Sequence, residues 1–287
     1  MDWINAIVQG TLVGGLYALF AAGLSLAFGI MRLVNIAHGD FIVLGGYLGL
    51  VVVTTLGLHP LTSLIVVVPL MAAIGYAAQR YLLNRTLGKD ILPPLLVTFG
   101  LSIVIQNLLL ETFSADSQKL SIGSLETLSM SVAGLGIGAF PLLTFVLAVA
   151  VIWGLQFLFY KSRLGMLFRA ASDDPATLGL MGADNRKVYA LAMAVAFAVV
   201  ALAGVLMASR TNFDPTIGPG RLLFAFEAVI MGGLGSLWGT LIGGIILGVA
   251  QAIGATINPG YQILAGHLVF LLVLIFRPRG FFPRSVD

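Results

Sequence analysis

Apolar runs of about 20 residues recur from one end of this chain to the other, each long enough to cross a ~30 Å hydrocarbon core as a helix. No other feature limits the fold so tightly, because backbone polar groups in lipid must find their partners within the protein. The composition agrees, with 59% hydrophobic residues against 9% charged. The 35 glycines fit helices that pack backbone to backbone through small side chains. With no cysteine, disulfides, thiolate catalysis and Cys-ligated metals are excluded. Met1-Asp2-Trp3 carries no basic region and no small-residue cleavage site follows, so the first apolar run is expected to be a retained span.

The spans are expected at Ile4 to Met31, Phe41 to Leu56, Leu61 to Leu83, Ile91 to Leu110, Ala139 to Tyr160, Val188 to Ser209, Thr240 to Ile257 and Tyr261 to Phe276. Arg32 to Asp40 reads as a short polar turn. Between Glu111 and Gly138, Leu120, Ile122, Leu128, Met130 and Val132 alternate with polar residues, which fits a small hairpin. Leu222 to Gly232 is apolar but too short for a span, and Gly232-Gly233-Leu234-Gly235-Ser236 interrupts it. The fold class is therefore an all-α polytopic membrane protein, with about eight full transmembrane helices plus one short broken helix.

Lysine and arginine set the orientation. With Lys161–Lys187 in the cytoplasm, stepping span by span leaves only Lys119, Arg210 and Arg221 of the 15 basic residues outside. Lys89 and the tail's Arg284 fall inside. The N-terminus is then external and the C-terminus cytoplasmic, which requires Leu222–Gly232 to traverse much of the bilayer. Irregular backbone at that depth is tolerated only where protein or a water-lined cavity covers it.

The loop at 161–187 holds a punctuated helix. Asp174 can cap its first N–H groups, Pro175 takes the first helical position, and Gly182 can close the end in a left-handed conformation. Pro175 to Met181 is too short to stand alone, since isolated helices are marginal below roughly 12–15 residues. Leu178 and Met181, three apart, offer an apolar edge for a partner, so the element reads as a docking knob. The plainer alternative is an ordinary inter-helix loop.

Motifs for enzyme chemistry fail. Gly235-Ser236 lacks the flanking glycine of a nucleophile elbow. His38, His59 and His267 are scattered, with no carboxylate spaced to complete a metal site. Asp173-Asp174 has no second acidic cluster to make a Mg²⁺–diphosphate site, which leaves a cap-and-turn role. No P-loop is present, and Gly88-Lys89-Asp90 is not a fragment of one. Glu227 reads as the one acid inside an apolar segment, hence either a path-lining group or a locally paired structural carboxyl. Gln106, Asn107 and Gln251 are interhelical glue or ligands.

Four stretches carry a family resemblance in the right order. They are Gly14-Gly15-Leu16-Tyr17-Ala18-Leu19, then Asn35-Ile36-Ala37-His38-Gly39-Asp40. Gly165-Met166-Leu167-Phe168-Arg169-Ala170 with Gly182 follows, and last comes the run from Ala228 through Gly232-Gly233-Leu234-Gly235-Ser236 to Gly239. Over nearly its whole length the chain resembles the membrane permease subunit of branched-chain amino-acid ABC importers. The resemblance implies one transmembrane permease domain over 1–287, in a bacterial inner membrane, with a periplasmic N-terminus. It implies a second permease, homologous or identical, two ATPase subunits and a periplasmic substrate-binding protein, with no nucleic acid. This chain would bind no cofactor, ATP and Mg²⁺ residing on the ATPase. The family's coupling helix would fall on Asp173–Gly182, so Arg169, Asp173, Asp174, Pro175, Leu178, Met181 and Gly182 are the expected ATPase-coupling residues. Asn35, His38, Asn107, Glu227, Gly232, Gly233 and Ser236 are the candidates for the translocation path. Family substrates range over amino acids, amides, urea and aromatic acids. A secondary transporter or a channel for a small polar solute is the rival; the former would need ion-coupling acids or histidines at the midplane.

Overall fold

The computed structural model describes residues 2–88, 90, 92–132 and 135–282. Lys89, Ile91 and Arg284, placed above in a loop, at a span start and in the tail, lie outside the described residues. In chain order the helices are α1 Asp2–Met31, α2 His38–Leu56, α3 Pro60–Ala77, α4 Leu92–Phe113, α5 Ala139–Lys161 and α6 Arg163–Asp173. They continue with α7 Pro175–Leu180, α8 Asn185–Arg210, α9 Gly218–Gly232, α10 Leu237–Ile257 and α11 Gln262–Phe276. Eight are long and apolar enough to cross a membrane among the described residues. One of these is α3, extended to Arg85 through a π turn at Ala78–Leu82 and a 3-10 turn at Leu83–Arg85, and another is α11, which reaches 18 residues with the 3-10 turn Pro259–Tyr261 before it. The chain is thus an all-α polytopic membrane protein. With 15 residues, α9 is the short element foreseen. At 1.5 Å per residue it is about 22 Å long.

Helices α1 and α8 are the most enclosed, while α3, α4, α5 and α11 turn apolar faces outward through residues such as Ile65, Leu96, Trp153 and Ile275. The most extensive helix crossing joins α1 to α10. Gly10 and Gly14 on one helix face Gly244 and Gly248 on the other, each pair four apart and so on one helical face. A Cβ on Gly14 would sit 2.5 Å from Ile245 Cα, and one on Gly244 would sit 2.7 Å from the Gly14 carbonyl. Only glycine permits this approach.

The same contacts fix direction. Gly10 meets Val249 while Gly14 meets Ile245, so α1 and α10 are antiparallel. Helix α9 opposes α10 through Gly232 against Gly239 and Ala228 against Gly243. Helix α11 opposes α10 through Ala265 against Gly254 and Gly266 against Gln251. Helices α1, α9 and α11 therefore run the same way, and the N-terminus and the tail lie at opposite ends of the bundle.

Two local expectations change. His38, Gly39 and Asp40 are not a polar turn but the first turn of α2, all buried. The hairpin pairs β1 Ser129–Val132 with β2 Leu135–Gly138, antiparallel. Leu120 and Ile122 stay outside it because both are needed in the core.

Candidate functional site

The 161–187 loop is built of two helices, not one. Ser162 Oγ accepts from Gly165 N (2.9 Å) and starts α6, whose buried positions Gly165, Phe168 and Ala171 recur every third residue. Ser172 Oγ donates to the Gly29 carbonyl at 2.7 Å, tying α6 to α1. Arg169 lays its guanidinium 5.3 Å from the Tyr160 ring centroid and donates to the Phe159 carbonyl. It therefore braces the α5–α6 corner.

In α7 the cap chemistry read from the sequence is present at both ends. Asp174 Oδ1 accepts from Ala176 N (3.0 Å) and Thr177 N (3.1 Å), and Pro175 occupies the first position. The Thr177 hydroxyl, then the Thr177 and Ala176 amides, hold the Asp174 carboxyl below the usual range by bonding its charged form. Gly182, at φ 84°, donates to the Gly179 carbonyl (3.1 Å), and Ala183 N donates to the Leu178 carbonyl (3.3 Å). That pair is a Schellman closure. Asp173 is exposed at the end of α6.

The apolar edge differs from the sequence expectation. Leu178 is only 5% exposed and packs inward, whereas Leu180 and Met181 are 89% and 81% exposed. Leu178 anchors the helix to its own chain, and the outward edge is Leu180–Met181. Behind it, Asp184 caps α8 by accepting from Arg186 N (3.0 Å) and pairs with Arg80 at 3.4 Å. Asn84 Nδ2 donates to the Arg186 carbonyl at 2.9 Å.

The break after α9 leaves its last carbonyls satisfied. Gly233 N donates to Val229 O (2.9 Å) and Ile230 O (3.2 Å), while Phe281 N and Phe282 N donate to Met231 O (2.9 Å) and Gly232 O (3.0 Å). Gly233 and Gly235 take φ values of 102° and 81°, open to glycine and strained for other residues. Ser236 Oγ then caps α10 by accepting from Gly239 N at 3.1 Å. Beside this turn a cavity of about 350 Å³ opens between α1, α5 and the start of α10, with Ser25, Gln156, Tyr160, Ser236 and Trp238 on its walls.

The other path candidates are dispersed. Asn35 is buried and its Oδ1 accepts from Ala37 N (3.0 Å), which turns the chain into α2. His38 is buried with Nε2 2.8 Å from the Phe20 carbonyl. Asn107 lies on the exposed face of α4, its amide donating back to Ile103 O at 2.8 Å. Glu227 is 1% exposed and paired through Oε1 with His267 Nδ1 on α11. Among the described residues, none of these four lines the cavity.

Two pairings were invisible in the sequence. Glu227 and His267 are forty residues apart and meet because α9 and α11 both pack on α10. Asp40 is a second buried acid, accepting from Gln106 Nε2 at 2.9 Å beside Ser102. The intramembrane polarity of Gln106 was the available signal for it.

Residues 6–277 match the family model described as branched-chain amino acid transport system / permease component. The high-affinity branched-chain amino acid transport system permease protein BraD of Pseudomonas aeruginosa is 32% identical, covering 98% of this chain and 96% of its own length. The permease proteins LivH and LivM of the Escherichia coli high-affinity system are 27% and 25% identical. LivH covers 98% of this chain and 96% of itself, LivM 94% of this chain and 68% of itself. Among solved structures, PsaBC from Streptococcus pneumoniae in complex with Fab aligns at a TM-score of 0.50 and 14% identity, covering 94% of this chain and 91% of that one, a likeness of fold. A match running from the early turns of α1 past the end of α11 takes in the glycine crossing, the capped loop and the broken helix, and the chain belongs to the branched-chain amino acid transport system permease family.

Proposed function

We propose that this chain is the permease subunit of an ATP-driven importer of branched-chain or closely related amino acids. The observation that carries the reading is the family match across residues 6–277, supported by relatives named for branched-chain amino acid transport. The N-terminus faces the periplasm and the tail the cytoplasm of a bacterial inner membrane. A periplasmic binding protein delivers substrate, and a second permease, identical or homologous, completes the path. ATP and Mg²⁺ are held by two ATPase subunits that dock on α7. That helix fits the role because it is rigidly capped, anchored by Leu178, and presents Leu180 and Met181 outward. The turn at Gly232–Ser236 and the adjoining cavity mark the inner end of the path.

The test is co-purification. The wild-type chain is expected to carry an ATPase subunit through purification, and Leu180→Asp with Met181→Asp is expected to lose it at normal membrane abundance. Uptake that needs no ATPase and follows a proton gradient would instead support a secondary transporter built on the Glu227–His267 pair.

A further inference from the structure

The cavity of about 350 Å³ beside the inner turn is walled by hydrogen-bond donors that no described residue engages. Ser25, on its α1 side, is 1% exposed, and its Oγ is buried without a partner, not even a carbonyl of its own helix. Leu237 and Trp238, also on the wall, are the first two residues of α10. A helix leaves its first amides without intrahelical acceptors, and here the Ser236 cap takes only Gly239 N. The amides of Leu237 and Trp238 therefore have no acceptor among the described residues. Gln156 on α5 adds a half-buried side-chain amide, and the rest of the wall is largely apolar or aromatic. Among the described residues, no aspartate, glutamate, lysine or arginine lines it.

We infer that this cavity is a carboxylate site, which takes the carboxylate of the transported amino acid as it leaves the permease. Free amides at a helix N-terminus carry partial positive charge and favour an anion. The Ser25 hydroxyl is a further donor, and a bound carboxylate offsets the cost of burying it unpaired. The volume lies within the range of small-molecule sites, about 300–1,000 Å³. Leu26 and the rings of Phe159 and Trp238 suit a branched aliphatic side chain. With no acid on the wall, the ammonium meets no opposite charge, so only one end of the zwitterion is recognised. With no basic side chain there either, that end is held weakly, as release into the cytoplasm requires. The inference rests on the importer reading and gives the inner end of its path a chemistry.

The chain has three tryptophans, and Trp3→Phe with Trp153→Phe, both at exposed positions, leaves Trp238 on the cavity wall as the sole reporter. Its fluorescence is titrated in the full-length chain in phosphatidylcholine nanodiscs, without ATPase or binding protein. L-Leucine and 4-methylpentanoate, which lacks the ammonium, are expected to change it saturably, with similar midpoints in the roughly millimolar range. Isopentylamine, which lacks the carboxylate, is expected to give no saturable change. Ser25→Ala removes a hydroxyl that bonds nothing in the protein, so it should fold as the parent does. It should weaken both acids roughly 10- to 100-fold, as for loss of one hydrogen bond to a charged group. No saturable response to the acids, an equal response to the amine, or unchanged binding in Ser25→Ala overturns the site. Inorganic phosphate acting as well as the acids would mark an adventitious ion only and overturn it too. Leucine uptake by the assembled importer that persists in those cases leaves the importer reading standing. Loss of that uptake with the titration intact removes the importer reading and leaves the carboxylate site.

Discussion

Replacing Leu178 by alanine separates the anchoring of α7 from its docking. Leu178 is the buried residue of this six-residue helix, and a helix that short does not hold itself. Removing three buried carbons at ~0.8 kcal/mol each costs about 2–3 kcal/mol, before any cavity term. That lowers the ratio of anchored to released α7 by roughly 30- to 150-fold. Hydrogen exchange reads the ratio directly, because Leu178 N, Gly182 N and Ala183 N bond only in the formed helix and its closure. Their protection should fall by that factor in Leu178→Ala, while amides in α1 and α10 keep theirs. Leu180→Ala and Met181→Ala should leave protection intact and weaken ATPase binding instead. Unchanged protection over residues 175–183 in Leu178→Ala would show that α7 is held by something other than this side chain.

Gly248→Leu should sharply reduce monodisperse protein in mild detergent, since overpacking costs about 1–3 kcal/mol and here meets the Gly10 backbone. Gly154→Leu, with nothing within 4 Å, should behave as wild type in the same chromatogram. Since the native Asp174 carboxyl lies below the ordinary value of about 3.9, its cap is fully present above that value and is lost as pH falls through the depressed one. Exchange protection of α7 should thus be flat from about pH 5 to 8 and fall in acid, and Asp174→Asn should remove the acid dependence. Single cysteines at Ser117 and Arg279, in this cysteine-free chain, should react with impermeant reagents from opposite faces of the membrane. Labelling of both from one face would mean that α9 does not count as a crossing.

The spans were legible because about 20 apolar residues have one reading in lipid. The cap of α7 was legible because Asp174, Pro175 and Gly182 act locally, each on neighbours two to five residues away. Helix α6 could have been found from Leu164, Leu167, Phe168 and Ala171, spaced as one helical face. The inward turn of Leu178 could not, because spacing shows which residues share a face but not what that face meets. Glu227–His267 and Asp40–Gln106 were hidden for the same reason. Each is a meeting of helices far apart in sequence, and neither residue type nor spacing encodes the neighbour across a crossing.

The pairing of Phe281 and Phe282 with the end of α9 bears on how the chain is made. The carbonyls of Met231 and Gly232 emerge from the ribosome some fifty residues before the amides that satisfy them. At about 5–20 residues per second, they wait several seconds without their final partners. An open helix end is not tolerated in hydrocarbon, so the insertion machinery or water must shelter α9 during that interval. A chain stopped short of Phe281 would therefore release every span yet leave the broken helix unsealed.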